Sequence, residues 1–503
     1  MKNLTLLVLL STLTLFVSCE SDDYAIDSND DTRNSADFFG NSETGSLSPT
    51  PTGDNYDDIV ENPFIKVSDE ATSTFSIDAD GASYANVRRY LESDQALPPA
   101  GAIRTEEFIN YFDLKYPFEP VGNHPISLNG EVSDCPWADG HKLVRIGIEG
   151  EPLPSNIKPA SNFVFLIDVS GSMAGEDRLE LLKTGFNAVV DQMTADDRVA
   201  IVTYGSSSEL ALSSTPGDQK ETIKNAITAL GSGGSTAGAE GIMTAYQIAQ
   251  ENLIEGGNNR IIVGTDGDFN VGIFDHDALV ALIEDKRDLG IYLTVVGVGR
   301  GNYNDATLEQ IANHGNGTFE YADKPAQIKK VFLHEYNKFF SVAKDVKVQV
   351  TFNNDVVDRY RLIGYENRVL ENEDFEDDEK DAGEIGADQN ITALYEIIPT
   401  SGISPLNTPA FEIDFRYKRP DEDTSIPITL EVFDTNTDFA SATDWMQFTA
   451  GVAAFGLVLR DSEYKGEATY ESILNWLNMT DLEDEYGWMA ELKTLVETAE
   501  DLE

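Results

Sequence analysis

The chain has 503 residues, of which 41% are hydrophobic and 10% are aromatic, so it can form several packed domains. Its 89 acidic residues against 35 basic ones give a formal net charge of -54. This balance excludes a nucleic-acid-binding protein, because phosphate binding needs a basic patch, and it disfavours contact between the protein body and an anionic membrane. The acid is spread over the whole chain, which favours a role in solubility over one in attracting cations to a single site.

The first 18 residues are predicted to be a secretion signal. Lys2 gives an early positive charge, and the largely apolar run that follows is too short to span a bilayer as a stable anchor. Phe16-Val-Ser-Cys19 resembles the lipobox of bacterial lipoproteins, which implies that Cys19 becomes the lipidated first residue. An ordinary secretory peptide with a coincidental cysteine is the alternative. Cys135 is then a lone thiol, expected to be a small buried residue.

The residues after Cys19 are acidic and few of them are large and apolar, so residues 19–65 are predicted to be a disordered tether. The acidic residues directly after Cys19 are similar to signals that send some lipoproteins to the outer face of the outer membrane. We therefore expect an outer-membrane lipoprotein, exposed on the cell surface or facing the periplasm. Its contact with the membrane is expected to be through the lipid on Cys19 alone.

Residues 66–158 are predicted to form an N-terminal module. It contains strands near residues 73–80, 126–132 and 142–150 and helices near residues 83–93 and 105–112. Asp78 and Asp80 could bind a cation, but aspartates directly before a helix more often cap it. We therefore expect these two carboxylates to cap the helix that begins near Ser83.

The polar side chains with the clearest chemistry follow buried strands. Phe163-Val-Phe-Leu-Ile167 is a continuous apolar run, and Asp168, Ser170 and Ser172 come after it at alternate positions. Gly233-Gly-Ser-Thr236 opens a helical stretch, and a second buried strand ends in Asp266. An α/β sheet builds its site beyond the carboxyl ends of its strands. Hard oxygen atoms at that place suit Mg²⁺, Mn²⁺ or Ca²⁺, whereas the scattered histidines and cysteines do not form a zinc site.

These segments resemble the metal-ion-dependent adhesion site of von Willebrand factor type A domains. The resemblance implies that Ser170, Ser172 and Thr236 bind a divalent cation directly or nearly so, and that Asp168 and Asp266 contribute directly or through water. It also implies an open coordination position that accepts a ligand carboxylate. We expect Mg²⁺ or Mn²⁺, and Ca²⁺ is compatible with the same donors.

The fold expected for residues 159–340 is α/β, because strand and helix patterns alternate throughout. The resemblance implies a doubly wound, mostly parallel, six-stranded, Rossmann-like sheet. Its first strand and last helix should meet at the end opposite the metal loops. Residues 66–158 and 341–435 are therefore predicted to build one β-sandwich around this inserted domain. Residues 74–89 resemble the amino-terminal module of bacterial von Willebrand A lipoproteins, and residues 436–503 are predicted to be a small helical region.

The function that follows is binding rather than catalysis. A protein, or another acidic ligand, would supply an Asp or Glu to the cation. Two alternatives are open: an envelope assembly or scaffold protein whose metal is mainly structural, and a metal-dependent hydrolase. A serine nucleophile is disfavoured, because His276, His314 and His334 lie in segments unconnected to any acid–serine pattern. The ligand's identity and the oligomeric state are left open.

Overall fold

The computed structural model describes residues 53–503 apart from 79, 121, 155–157, 235–237, 268–275, 302, 381 and 401–406. The predicted signal peptide, Cys19 and most of the predicted tether lie outside these residues. Among the helices that are described, none is long and apolar enough to cross a membrane.

The strands of the described chain are β1 (Ile65–Lys66), β2 (Thr72–Ser76), β3 (Ile126–Asp134), β4 (Lys142–Gly150), β5 (Ser161–Asp168), β6 (Arg198–Tyr204), β7 (Ser208–Pro216), β8 (Asn258–Thr265), β9 (Ile291–Val298), β10 (Phe319–Ala322), β11 (Ser341–Phe352), β12 (Val357–Ile363), β13 (Val369–Leu370), β14 (Gly383–Gly386), β15 (Asn390–Pro399), β16 (Phe411–Lys418) and β17 (Ile426–Val432). The helices are α1 (Ala82–Arg89), α2 (Thr105–Asn110), α3 (Leu179–Gln192), α4 (Lys220–Ala229), α5 (Gly238–Glu251), α6 (His276–Arg287), α7 (Asp305–His314), α8 (Pro325–Lys329), α9 (Asp444–Leu459), α10 (Tyr470–Leu477) and α11 (Trp488–Leu502).

The predicted α/β domain is confirmed. Six strands form one sheet in the order β10-β9-β8-β5-β6-β7, and only the edge pair β6–β7 is antiparallel. Every residue of β5 is buried, because helices cover both faces of the sheet and leave the central strand no contact with water. The strands β5 and β8 run side by side in parallel, so their carboxyl ends lie at the same edge of the sheet.

The predicted insertion into a β-sandwich is also confirmed. Strand β4, before the inserted domain, pairs with β15 after it, and β2 pairs with β11 in the second sheet. The two sheets have the orders β1-β12-β15-β4-β3 and β13-β2-β11-β16-β17, and their inner faces share one apolar core. The end of β4 and the start of β11 lie close together. A Cβ on Gly150, the last residue of β4, would collide with Gly386 and press on Val342 of β11.

The helical region has a larger core than the sequence predicted. Helices α1 and α2 of the N-terminal module pack into the same apolar cluster as α9, α10 and α11 at the other end of the chain. Helix α9 is buried from Met446 to Leu457 without a break. Such continuous burial requires neighbours on all sides, and two of them are Leu477 against Gly451 and Thr105 against Gly456.

Asp78 and Asp80 do not cap α1, contrary to the prediction. The residue before α1 is Gly81, which has no side chain to cap the helix, and the first-turn amide of Ser83 donates to Glu107 Oε2 at 2.7 Å. Instead, Asp78 accepts a hydrogen bond from Arg368 Nε at 3.1 Å, and Asp80 accepts one from the Phe319 amide at 2.7 Å. Both carboxylates lie beside the guanidinium of Arg368, whose side chain is 13% exposed, and they neutralise its charge. They join the N-terminal module to the α/β domain and the sandwich.

The structure also shortens the predicted tether. Asp54 pairs with the buried Arg89 at 2.8 Å, and the Asn55 amide donates to the Tyr303 carbonyl at 2.8 Å. The hydroxyl of Tyr56 accepts a hydrogen bond from Asn86 at 2.7 Å. The chain is therefore fixed to the folded protein from Asp54 onward, well before residue 65, since Arg89 requires an anionic partner.

Glu106 in the first turn of α2 makes folding stability depend on pH. Its side chain is 1% exposed and its Oε2 atom has no hydrogen-bond partner among the described residues. Burial raises the pKa of this carboxyl from 4.5 to about 8, and the negative charge of Glu366 contributes. The folded state then binds the proton more tightly than the unfolded state, so this group's contribution to stability falls as pH rises from about 4.5 to about 8.

We expect Glu106→Gln to stabilise the protein at pH 8 by about 1–3 kcal/mol, because no buried charge remains without a partner. Near pH 4.5 the variant and the wild type should differ little. Urea unfolding at several pH values measures both effects. Glu471→Gln, in the exposed first turn of α10, serves as the control and should show no such trend. A difference between wild type and E106Q that does not change with pH would contradict the assignment.

Candidate metal centre

The first part of the site is the turn that follows β5. Asp168 ends the strand and is fully buried, and its Oδ1 accepts a hydrogen bond from the Ser170 amide at 2.8 Å. Its Oδ2 accepts from the Thr265 hydroxyl at 3.4 Å. The Oγ atoms of Ser170 and Ser172 lie 2.9 Å apart, with Ser170 buried and Ser172 exposed. The predicted Asp-x-Ser-x-Ser side chains therefore converge, and Ser172 lies at the side open to solvent.

Asp266 joins them from the neighbouring strand. Ile167 of β5 pairs with Gly264 of β8, so Asp168 and Asp266 both lie at the carboxyl end of the sheet. Asp266 is 3% exposed, and its Oδ1 atom has no hydrogen-bond partner within the described chain. Buried carboxylates are normally paired or coordinate metals. The orphaned oxygen fits a cation that is held among these donors.

The third predicted segment, which begins at Gly233, contacts the turn after β5 through backbone hydrogen bonds. The Gly233 amide donates to the Val169 carbonyl at 2.7 Å, and the Gly171 amide donates to the Gly234 carbonyl at 3.0 Å. Gly234 has a φ of +92°, and a Cβ there would collide with Ser206, so glycine is required. Thr236, the predicted ligand two residues further on, lies outside the described residues.

The electrostatics of the centre favour a cation. The pKa of Asp168 is raised to about 6, mainly by burial and also by the nearby charge of Asp266, whereas hydrogen bonds from Ser170 oppose the shift. Two carboxylates near each other in a buried site repel, and a divalent ion between them would remove that repulsion. The donor set of carboxylates and hydroxyls matches the oxygen preference of Mg²⁺ and Mn²⁺.

Sequence reasoning missed three residues around these donors. Thr265 bonds to Asp168, and Tyr204 is paired with Asp168 in the β5–β6 register and hydrogen-bonds to its carboxylate. Arg178 donates to the backbone carbonyls of Ser172 and Arg300 and thereby fixes the rim of the site. Tyr204 and Thr265 are the last residues of the two strands beside β5. Their positions at predicted strand ends could have identified them as neighbours of the site. No pattern in the sequence marked Arg178.

A second group of carboxylates lies elsewhere in the molecule. One oxygen each from Asp78, Glu107 and Glu309 falls within 4.8 Å of the others. Arg368 bonds to Asp78, and Arg104 bonds to Glu107 and lies 3.4 Å from Glu309. We interpret this group as a network of ion pairs, because two guanidinium groups already balance part of its charge.

Comparisons with known proteins agree with this architecture. Residues 162–334 match the family model of the von Willebrand factor type A domain, residues 50–145 match a model described as von Willebrand factor, and residues 337–502 match the C-terminal model of the uncharacterized protein YfbK. The uncharacterized protein YfbK of Escherichia coli (strain K12) is 37% identical over 465 residues, which cover 88% of this chain and 81% of that protein.

Two more distant similarities have lower sequence identity. Inter-alpha-trypsin inhibitor heavy chain H3 of Mesocricetus auratus is 24% identical over 184 residues, or 35% of this chain and 20% of that protein. A solved von Willebrand factor type A structure from Catenulispora acidiphila has a TM-score of 0.41 and 16% identity, and covers 76% of this chain and 91% of that one. From the extent and identity of the match to YfbK, the chain belongs to the YfbK family of proteins that contain a von Willebrand factor type A domain.

Proposed function

We propose that the protein is a lipid-anchored binding protein of the bacterial envelope, and that a divalent cation at Asp168, Ser170, Ser172, Thr236 and Asp266 binds an acidic group of a protein ligand. The observation that supports this most directly is the buried Asp266 oxygen without a hydrogen-bond partner, beside a second buried carboxylate. Mg²⁺ or Mn²⁺ fits the donors best. When bound, the ion supplies positive charge and an open coordination position for a ligand carboxylate.

Each side chain has a distinct role in this proposal. Asp168 and Asp266 supply the negative charge that selects a cation. The Ser170 and Ser172 hydroxyls are already oriented towards one another, so little rearrangement is required to present both oxygens. Arg178 does not reach the carboxylates by a hydrogen bond and instead holds two rim carbonyls, which keeps Ser172 in position.

The described part of the surface around the donors is open to a macromolecular ligand. Ser172 and Gly171 are exposed, and so are Gly231 and Gly233 on the facing loop. A Cβ on Gly231 or Gly233 would meet nothing within 4 Å among the described atoms. The absence of side chains allows another backbone to approach closely, which suits a ligand that brings its own Asp or Glu to the ion.

A serine nucleophile is disfavoured by the positions of two histidines. A serine nucleophile requires a neighbouring general base. His314 Nδ1 lies 3.0 Å from Glu284 at the end of α7, and the His334 ring stacks near Tyr486 with 4.0 Å between ring centroids. Neither histidine is positioned beside Ser170 or Ser172, so the serines are better suited to bind an ion than to attack a substrate.

Ser170→Ala tests the binding function. The mature protein should capture a ligand from envelope extracts in Mg²⁺ or Mn²⁺, and EDTA should abolish that capture. S170A should weaken capture by at least about tenfold while its circular dichroism stays unchanged, because a direct donor to the ion is lost. Ser213→Ala, on the exposed edge strand β7, is the matched control and should bind normally. Capture that persists in EDTA and in S170A, together with a lower melting temperature, would instead favour a scaffold with a structural metal.

Cys19→Ser tests the anchor. A lipidated Cys19 should place the wild-type protein in the outer-membrane fraction, and labelling with a fatty-acid analogue should detect the modification. The variant should lose the label and leave that fraction, because the acidic body has no affinity of its own for an anionic surface. A C19S protein that remains in the membrane fraction would refute anchoring by this residue.

A further inference from the structure

A cavity of about 590 Å³ lies at the opposite end of the α/β sheet from the metal loops. It is open to solvent on one side and is lined by the start of β8, the ends of α6 and α7, the end of β2 and the sandwich segment around β14. Arg260 in this cavity and Asp266 in the metal centre are six positions apart on one strand, which corresponds to roughly 20 Å. The cavity is therefore separate from the metal centre, and its volume suits a small ligand.

The charge of its lining reverses that of the chain. Five of the lining side chains are basic and three are acidic, whereas the whole protein has 35 basic and 89 acidic residues. Lys338 and Arg368 already bond to buried acids behind the cavity wall. Arg287 pairs with Asp288, and Lys380 lies 3.5 Å from Asp374. Among the basic side chains that line the cavity, Arg260 is therefore the one that lacks an acidic partner within the described chain.

Arg260 is buried without a carboxylate partner. It is 4% exposed, and the described chain places no Asp or Glu oxygen within 4.0 Å of it. Its Nη1 donates to the Thr294 hydroxyl at 2.8 Å, and its guanidinium lies 5.4 Å from the centre of the Tyr292 ring. Its Nε has no hydrogen-bond partner among the described residues. Burial lowers the pKa of Arg260 to about 10, although the charge of Glu384 partly opposes this.

Other buried arginines of this protein are neutralised. Arg88 pairs with Asp323, Arg104 with Glu107, and Arg361 with Glu396 at 3.0 Å. Because an isolated buried charge is costly, a guanidinium left without a carboxylate beside a cavity indicates an anionic partner that comes from outside the chain.

Two further polar atoms on the cavity wall lack partners in the part of the chain that the structure describes: Thr318 Oγ1 and Asn316 Oδ1. The threonine hydroxyl can donate to an anion. The amide of Asn316 is fixed, because its Nδ2 donates to Glu384 at 2.9 Å, which leaves Oδ1 as an acceptor for a ligand hydroxyl. An oxyanion that carries one proton satisfies both atoms together with Arg260.

We propose that this cavity binds a small oxyanion, a phosphate or phosphomonoester group, with Arg260 as the charged anchor and Thr318 and Asn316 as hydrogen-bonding partners. The guanidinium fork matches the geometry of phosphate oxygens. A group bound there contacts the α/β domain, the N-terminal module and the sandwich together, so its binding stabilises the junction of all three.

The test measures binding of inorganic phosphate, glycerol phosphate, sulfate and acetate to the mature protein at constant ionic strength, by calorimetry and by thermal melting. Phosphate or glycerol phosphate should bind saturably and raise the melting temperature, and acetate should bind more weakly. Arg260→Met should weaken phosphate binding by about tenfold or more. In buffer without phosphate, R260M should melt at the same or a higher temperature, because an unpaired buried charge is gone.

Arg198→Met is the matched control. Arg198 begins β6 at the same end of the sheet, and its Nε donates to Ser214 at 2.7 Å outside the cavity. R198M should bind phosphate like the wild type. Thr318→Val provides a second, nearly isosteric variant that should weaken phosphate binding even if R260M does not fold.

Three results would overturn the proposal. The first is that none of the four anions binds saturably. The second is an equal effect of phosphate on the wild type, R260M and T318V, which is the general action of salting-out anions. The third is a fall in the melting temperature of R260M in phosphate-free buffer with unchanged affinity, which would assign Arg260 a purely structural role.

Discussion

The fold of this highly acidic chain depends on how the negative charges of its buried carboxylates are neutralised. Asp78 and Asp80 meet Arg368, and Glu107 meets Arg104, which also pairs with Asp305, so these ion pairs connect the N-terminal module to the rest of the protein. Asp168 and Asp266 are buried at the ends of two adjacent parallel strands, and Asp266 keeps an oxygen without a hydrogen-bond partner among the described residues. The same physical rule separates a structural cluster from the candidate metal centre: the first has its cations within the chain, and the second, in the function proposed above, takes one from solution.

The order of the chain explains why the two ends of the α/β domain differ. The chain enters the domain from the sandwich at one end of the sheet, and the parallel strands β5 and β8 end at the metal loops on the other. The opposite end lies against β2 and the segment near β14, where buried polar groups must find partners across a junction of three parts. Arg260 is the residue at that junction for which the described chain provides a hydrogen bond to Thr294 but no carboxylate.

The α/β domain and its insertion could be predicted from the sequence because their signals are local and repeated. Apolar runs such as Phe163–Ile167 mark buried parallel strands, and alternating patterns on both sides mark the sandwich. The converging turn at Asp168, Ser170 and Ser172 could be predicted because these residues are close in sequence. The placement of Asp266 beside them follows from the parallel pairing of β5 with β8.

The remaining features depend on contacts between distant parts of the chain. The packing of α1 and α2 against α9 to α11 could not be predicted from hydrophobic periodicity. The apolar faces of these helices show that each is packed, but not against which partner. Local reasoning assigned Asp78 and Asp80 to a helix cap, but Arg368, almost 300 residues away in sequence, competes for both carboxylates. The predicted tether extended too far along the chain, to residue 65, for the same reason. The ion pair between Asp54 and Arg89 joins two distant parts of the chain.

Diffraction from crystals grown with Mn²⁺ tests the central claim most directly, since anomalous scattering locates the ion. The account predicts one strong peak at the carboxyl ends of β5 and β8, about 2.0–2.3 Å from its direct protein oxygens, with Ser170 and Ser172 among them. A peak at Asp78, Glu107 and Glu309 instead, or no peak between Asp168 and Asp266 at saturating Mn²⁺, would contradict it.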